Sequence, residues 1–157
     1  MTEPHRDQIR AFLDVQLGRL SNRALVSSAQ DRLAEPDPPA WISELACLIY
    51  PTEVLDAHHI LERQLFRSGV LPDSEALRSE IRLAVAQWAE RVAGSGVVEL
   101  LDGVTPTVVR LLHLCPGYEF SSVSIPIEEF PYASEVRTAE ELARYILSHL
   151  EELVPRR

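Results

Sequence analysis

The sequence has no lysine; all fifteen of its cationic side chains are arginine. We read that bias as codon usage in a GC-rich genome rather than as a demand of mechanism. Glycine is scarce, with six in 157 residues, and Gly94, Gly96 and Gly103 follow neither of the spacings that cradle nucleotide phosphates behind a strand. No cofactor is therefore expected. Cysteine is limited to Cys47 and Cys115, far apart and each beside Leu or Ile, which predicts two free, buried thiols in a reducing compartment instead of a disulfide. No run reaches the roughly eighteen apolar residues of a membrane span, and the opening "MTEPHRDQIR" lacks the apolar centre of a secretion signal. The expectation is a cytoplasmic chain. No serine stands in a Gly-x-Ser-x-Gly turn, so that hydrolase nucleophile is missing too.

What is present suits one folded domain. A chain of 157 residues with 46% apolar and 25% charged side chains can bury a core without staples. A single helical domain spanning 1–157 is expected. The formal charge of -9 repels nucleic-acid phosphates and anionic lipid, so neither nucleic acid nor membrane is an expected partner. From Gly117 to Arg157 eight acidic residues stand against four arginines, with the pairs Glu128–Glu129, Glu140–Glu141 and Glu151–Glu152. A basic partner is the complement of that surface; the plain alternative is a set of solvated helix faces.

Hydrophobic spacing predicts helices along most of the chain. Ile9, Phe12, Leu13 and Leu17 share one helical face over 5–17, and Gly18 follows where a left-handed stop would sit. Ser21 is placed as an N-cap for a second helix with Leu25, Ala29 and Leu33, and the short link predicts an antiparallel hairpin. "EPDPP" interrupts at 35–39, with Asp37 restarting a third helix through Trp41, Leu45, Leu48 and Ile49. Pro51 and Thr52 begin a fourth from about Glu53 to Arg67, stopped at Gly69. Asp73 or Ser74 caps a fifth, in which Leu77, Ile81, Val85, Trp88 and Val92 form one stripe. "GVVELLDG" reads as a short helix, and Thr105-Pro106 opens a buried helix that closes at Pro116-Gly117. "YEFSSVSIPI" alternates Val123, Ile125 and Ile127 with polar residues, which predicts an edge strand near 118–127. "TAEE" at 138–141 matches a capping box for a last helix through Leu142, Ile146, Leu150 and Leu153.

The densest chemistry is "LDAHHILERQ". At about 100° per residue His58 lies near the apolar face set by Val54, Ala57, Leu61 and Leu65, with Glu62 one turn on and His59 pointing elsewhere. Two ligands do not make a metal site. A third would come from His113 or Cys115, and a small metal-dependent enzyme using His58, Glu62 and His113 is the alternative function class. The simpler reading is His58 hydrogen-bonded to Glu62 or to a backbone carbonyl, with no metal and no catalysis. A transcriptional regulator is the second alternative, but its reader helix "PTVVRLLHLC" offers only Arg110 to phosphates or bases. The arginines four apart, including Arg78/Arg82, read as solvated stripes beside acids.

The N-terminal hairpin, "LDVQLGRLSNRALVSSAQDRL", with its Leu17-Gly18-Arg19-Leu20-Ser21 turn, resembles the opening of small helical bacterial immunity proteins, which bind and neutralise a toxin. The resemblance implies a cofactor-free, non-catalytic antitoxin whose partner is a protein, in this case a basic toxin domain, and it leaves the oligomeric state open. Within this chain "IEEFPYASE" combines aromatic anchors with acid, so the candidate partner-binding residues are Glu128, Glu129, Phe130, Tyr132 and Glu135. The fold class expected is mainly α: a single-domain helical bundle with one or two short strands in the C-terminal third.

Overall fold

The computed structural model describes residues 3–95 and 108–156. The chain is mainly helical and divides into two compact units, Met1–Ala76 and Leu77–Arg157. The readings of "GVVELLDG" and of the Thr105-Pro106 cap lie outside the described residues.

In the first unit α1 (Glu3–Gln16) packs chiefly against α5 (Ala57–Arg67), and α2 (Asn22–Arg32) chiefly against α3 (Ala40–Ala46). The α1–α2 hairpin expected from the short link is therefore not the main packing unit. A cavity of about 290 Å³, lined by Ala11 and Asp14 of α1 and by Ser28 and Ala29 of α2, lies between the two. Their turn is as expected: Gly18 has φ 72°, a conformation that costs a residue with a Cβ about 1 kcal/mol, and Ser21 accepts the Ala24 N–H at 3.1 Å. Ile9, Leu45, Leu61 and Leu65 are fully buried and centre the core. Gln8, also buried, donates to Gln64 across the α1–α5 contact at 3.2 Å.

The third predicted helix ends earlier than its apolar spacing implies, and the fourth reaches Arg67 as expected but is broken within its length. α3 stops at Ala46, because Tyr50 before Pro51 must be extended (φ -81°, ψ 138°), and Ile49 is left 71% exposed. The fourth splits into α4 (Pro51–Leu55) and α5 at Asp56 (φ -103°, ψ 10°). There the Asn22 side chain enters the helical ladder: its Nδ2 donates to the Leu55 carbonyl at 2.6 Å, and its Oδ1 accepts the His58 N–H at 2.9 Å. A side chain that takes both backbone groups removes the reason for the helix to stay continuous.

The second unit is organised on α6 (Glu75–Ser95), in which Leu77, Ile81, Val85 and Ala89 are fully buried. After the helical residues 108–113, here α7, come the 3-10 turns Tyr118–Phe120 and Ser122–Ser124, then α8 (Ile125–Glu128), α9 (Ala139–Ser148) and α10 (Leu150–Leu153). Thr138 caps α9 by accepting the Glu141 N–H at 3.1 Å, and the Glu141 carboxylate accepts from Arg137 N–H at 2.9 Å. Among the described residues no helix is long and apolar enough to cross a membrane.

The expected strands near 118–127 are absent; the described residues contain no β-strand. Instead the backbone closes on itself in turns: Phe120 N–H reaches Gly117 O, Ser121 reaches Tyr118, Ser124 reaches Ser121, Phe130 reaches Ile127 and Tyr132 reaches Glu129. Each bond spans three residues, and three residues per turn bring every third side chain to one side. Tyr118, Ser124, Ile127, Phe130, Ala133 and Val136 are all buried on that period, while Ile125 is 53% exposed. The alternation that resembled a strand is incidental.

Two further expectations fail for reasons of packing. Arg78 and Arg82 are each only 8% exposed, not a solvated stripe. Arg78 donates to the carbonyls of Pro155 and Pro116 at 3.0 and 3.2 Å, and Arg82 to that of Val154 at 3.0 Å. Cys47 is exposed, because α3 ends just before it; Cys115 is buried as expected.

Candidate functional site: an acidic surface with exposed aromatics

Residues 113–135 of the second unit bring together the most chemistry. His113, at the last described turn of α7, has a carboxylate off each ring nitrogen: Glu119 Oε1 lies 3.2 Å from Nδ1, and Glu128 Oε1 lies 3.1 Å from Nε2. The Tyr118 hydroxyl donates to the same Glu128 oxygen at 2.7 Å, and its ring meets the imidazole edge-on at 5.1 Å between centroids. Tyr118 is 2% exposed. Burial pushes its hydroxyl far above the ordinary tyrosine range, and the hydrogen bond and negative charge of Glu128 push it further. It stays a neutral donor and fixes Glu128 in place.

Because the two carboxylates lie off opposite edges of one imidazole, they do not converge with it on a single point. Among the described residues no three His, Cys, Asp or Glu side chains come together as a set that could hold a metal ion. What the arrangement does is hold the Glu128 carboxylate in a fixed direction through the buried Tyr118 hydroxyl, which lowers the ordering cost of using it in recognition.

Around this frame the sequence-derived residues separate. Tyr132 is 92% exposed, whereas Phe130 is 6% exposed and belongs to the core. Glu129 and Glu135 are at the surface, and Glu135 adds to the upward shift of the Tyr145 hydroxyl, whose largest cause is burial. Tyr145 in turn donates to the Val123 carbonyl at 2.8 Å, tying α9 to the second 3-10 turn. The aromatic missed by the sequence reading is Phe120, 91% exposed and next to Glu119. Both outcomes follow from the triplet period: 130 falls on the buried row that starts at 118, and 120 and 132 do not. A search at period three, alongside the helix and strand periods, would have separated them.

The paired histidines of the first unit form a different arrangement from the one expected. His58 is held through Nδ1 by Asn22 Oδ1 at 3.0 Å, not by Glu62; Glu62 lies 3.9 Å from His59 Nδ1. The two imidazoles do not diverge. Their centroids are 3.9 Å apart and tilted by 40°, because Asn22 draws His58 away from the direction its helical position implies. His58 and Glu62 belong to the first unit, His113 and Cys115 to the second.

No protein-family model, no curated protein and no solved structure matches the chain.

Proposed function

We propose that the chain is a non-catalytic protein-binding module that engages a basic partner through residues 118–135. In its sharpest form the partner is a basic toxin domain and the chain is the immunity protein that neutralises it. The observation that carries this reading is the exposure of Phe120 (91%) and Tyr132 (92%) in a segment whose Glu128 carboxylate is fixed by the buried Tyr118 hydroxyl. Exposed aromatics of this size, rimmed by acid, have the composition of binding hot spots, and the -9 net charge steers a cationic surface towards them. Glu119, Glu128, Glu129 and Glu135 supply the complementary charge, with Glu128 already oriented by Tyr118.

The experiment is a titration of the purified chain with the basic domain encoded beside its gene, with growth protection on co-expression as the biological readout. A stoichiometric complex that weakens as salt rises is expected. Phe120→Ala and Tyr132→Ala should each weaken it by about thirtyfold, the ~2 kcal/mol of a hot-spot residue, without shifting the melting temperature, since neither ring is packed. Affinity unchanged in both variants would refute the assignment of this surface.

A further inference from the structure

A groove of about 510 Å³ opens along α2 in the first unit. One wall carries Arg23, Ser27 and Gln30, which recur at the i, i+4 and i+7 positions of a single helix face. The facing wall is apolar and comes from the α3–α4 link and α4: Leu48, Ile49, Pro51, Val54 and Leu55. Val26, 4% exposed, also lines it.

The groove is braced at both ends. Asn22 holds the Leu55 carbonyl at 2.6 Å, and Gln30 Nε2 donates to the Ala46 carbonyl at 3.4 Å. Both braces start on α2 and reach the main chain of the opposite side, so the spacing of the walls is fixed at each end. The apolar wall stays uncovered: Ile49 is 71% and Leu55 68% exposed. Among the described residues Arg23 makes no ion pair and no side-chain hydrogen bond. A guanidinium without a partner beside an uncovered apolar wall matches one kind of ligand, with an anionic head and an apolar body.

Size chooses between a small molecule and a protein. Nine residues line the groove, against roughly 20–30 on each side of a stable protein interface, while its volume falls within the roughly 300–1,000 Å³ of small-molecule sites. We infer that this groove binds a small amphipathic monocarboxylate, of the medium-chain fatty acid type. The carboxylate takes the paired N–H donors of Arg23, with the Ser27 hydroxyl one turn further along. The chain lies on Leu48, Ile49, Val54 and Leu55. A second carboxylate would lie against the apolar wall of Leu48, Ile49, Val54 and Leu55, so a dicarboxylate is disfavoured against the monocarboxylate of equal length. The site is independent of the acidic surface of the second unit.

Calorimetric or NMR titration of the whole chain with octanoate, decanoate and dodecanoate, below micelle formation, tests the inference. Affinity should rise about fourfold per added methylene, the ~0.8 kcal/mol of its burial. Decanedioate should bind more weakly than decanoate. Arg23→Gln should weaken decanoate about tenfold and leave the weaker binding of decanol unchanged; Ile49→Ser, at an exposed position, should flatten the dependence on chain length. No saturable decanoate binding up to about 1 mM overturns the inference. So does equal binding of decanedioate, or an Arg23→Gln chain that binds decanoate as before. Variants at Arg23 and Ile49 that lose a protein partner while fatty acids never bind would assign the groove to a protein and overturn it as well.

Discussion

The two units fix their backbones with different side chains. In Met1–Ala76 neutral amides hydrogen-bond from one segment to another, Asn22 to Leu55 and His58, Gln8 to Gln64 and Gln30 to Ala46, while Arg32, which also bridges elements, is partly exposed and reaches the Asp7 carboxylate and the Trp41 ring instead of a carbonyl. In Leu77–Arg157 they are buried guanidinium and phenol groups: Arg78 and Arg82 to the carbonyls of Pro155, Pro116 and Val154, Tyr118 to Glu128, Tyr145 to Val123. The first unit has helices of eleven and fourteen residues, whose carbonyls are mostly satisfied internally, and the amides of Asn22 and Gln30 serve the ends of its two short helices, α3 of seven residues and α4 of five. Beyond α7 the second has helices of four and ten residues and 3-10 turns of three. Short elements leave a larger share of carbonyls without a partner, and long donors from elsewhere must meet them. The more irregular the backbone, the more its stability depends on particular polar side chains.

That contrast can be broken by mutation. The largest loss is expected for Arg82→Leu, about 3 kcal/mol in denaturant unfolding, because it strands a buried carbonyl of the C-terminal segment and removes a buried charge from the groups arranged around it. A loss under about 0.5 kcal/mol would mean the guanidinium is incidental. Asn22→Ala should cost about 2 kcal/mol, since both backbone groups at the α4–α5 break lose their partner; faster amide exchange at His58 would localise the effect. Removing the hydroxyl by Tyr118→Phe should cost about 1 kcal/mol at neutral pH.

The same substitution sharpens the comparison in alkali. Unfolded tyrosine ionises near pH ~10, whereas folded Tyr118 holds its proton well above that. Its contribution is therefore complete below pH ~10 and is lost as pH rises beyond it, at about 1.4 kcal/mol per pH unit. Tyr118→Phe should remove most of that slope and leave the smaller part due to Tyr145, which is shifted in the same direction. The helix caps test where the units agree, with an effect no larger than that of Tyr118→Phe at neutral pH. Ser21→Ala and Thr138→Ala each remove one capping bond and should cost about 1 kcal/mol apiece, in either unit alike.

Those caps, the stops at Gly18 and Gly117 with φ 72° and 90°, and the buried stripe of α6 were all legible in the chain. Each is a relation among residues a few positions apart, where capping, left-handed backbone and helical period act locally. The break at Asp56 was not legible, because its cause, Asn22, lies 33 residues from Leu55. The two arginines of α6 gave no sign of burial, since the carbonyls they serve are 38 to 77 residues away. For the candidate surface, the acid-rich segment and Tyr132 were found from composition, while Phe130 belongs to the core and the unassigned Phe120 to the surface, as the triplet period that replaces the expected strand requires.

By itself the amino-acid order determined a helical chain, most of its helix starts and stops, and an acidic C-terminal third, because propensity, capping and charge are properties of near neighbours. Only tertiary structure decided which aromatics face water, which arginines face carbonyls, and where α2 stands off α4 to leave a groove. Those outcomes depend on which distant backbone groups lack a hydrogen bond, and that is settled when separate segments meet.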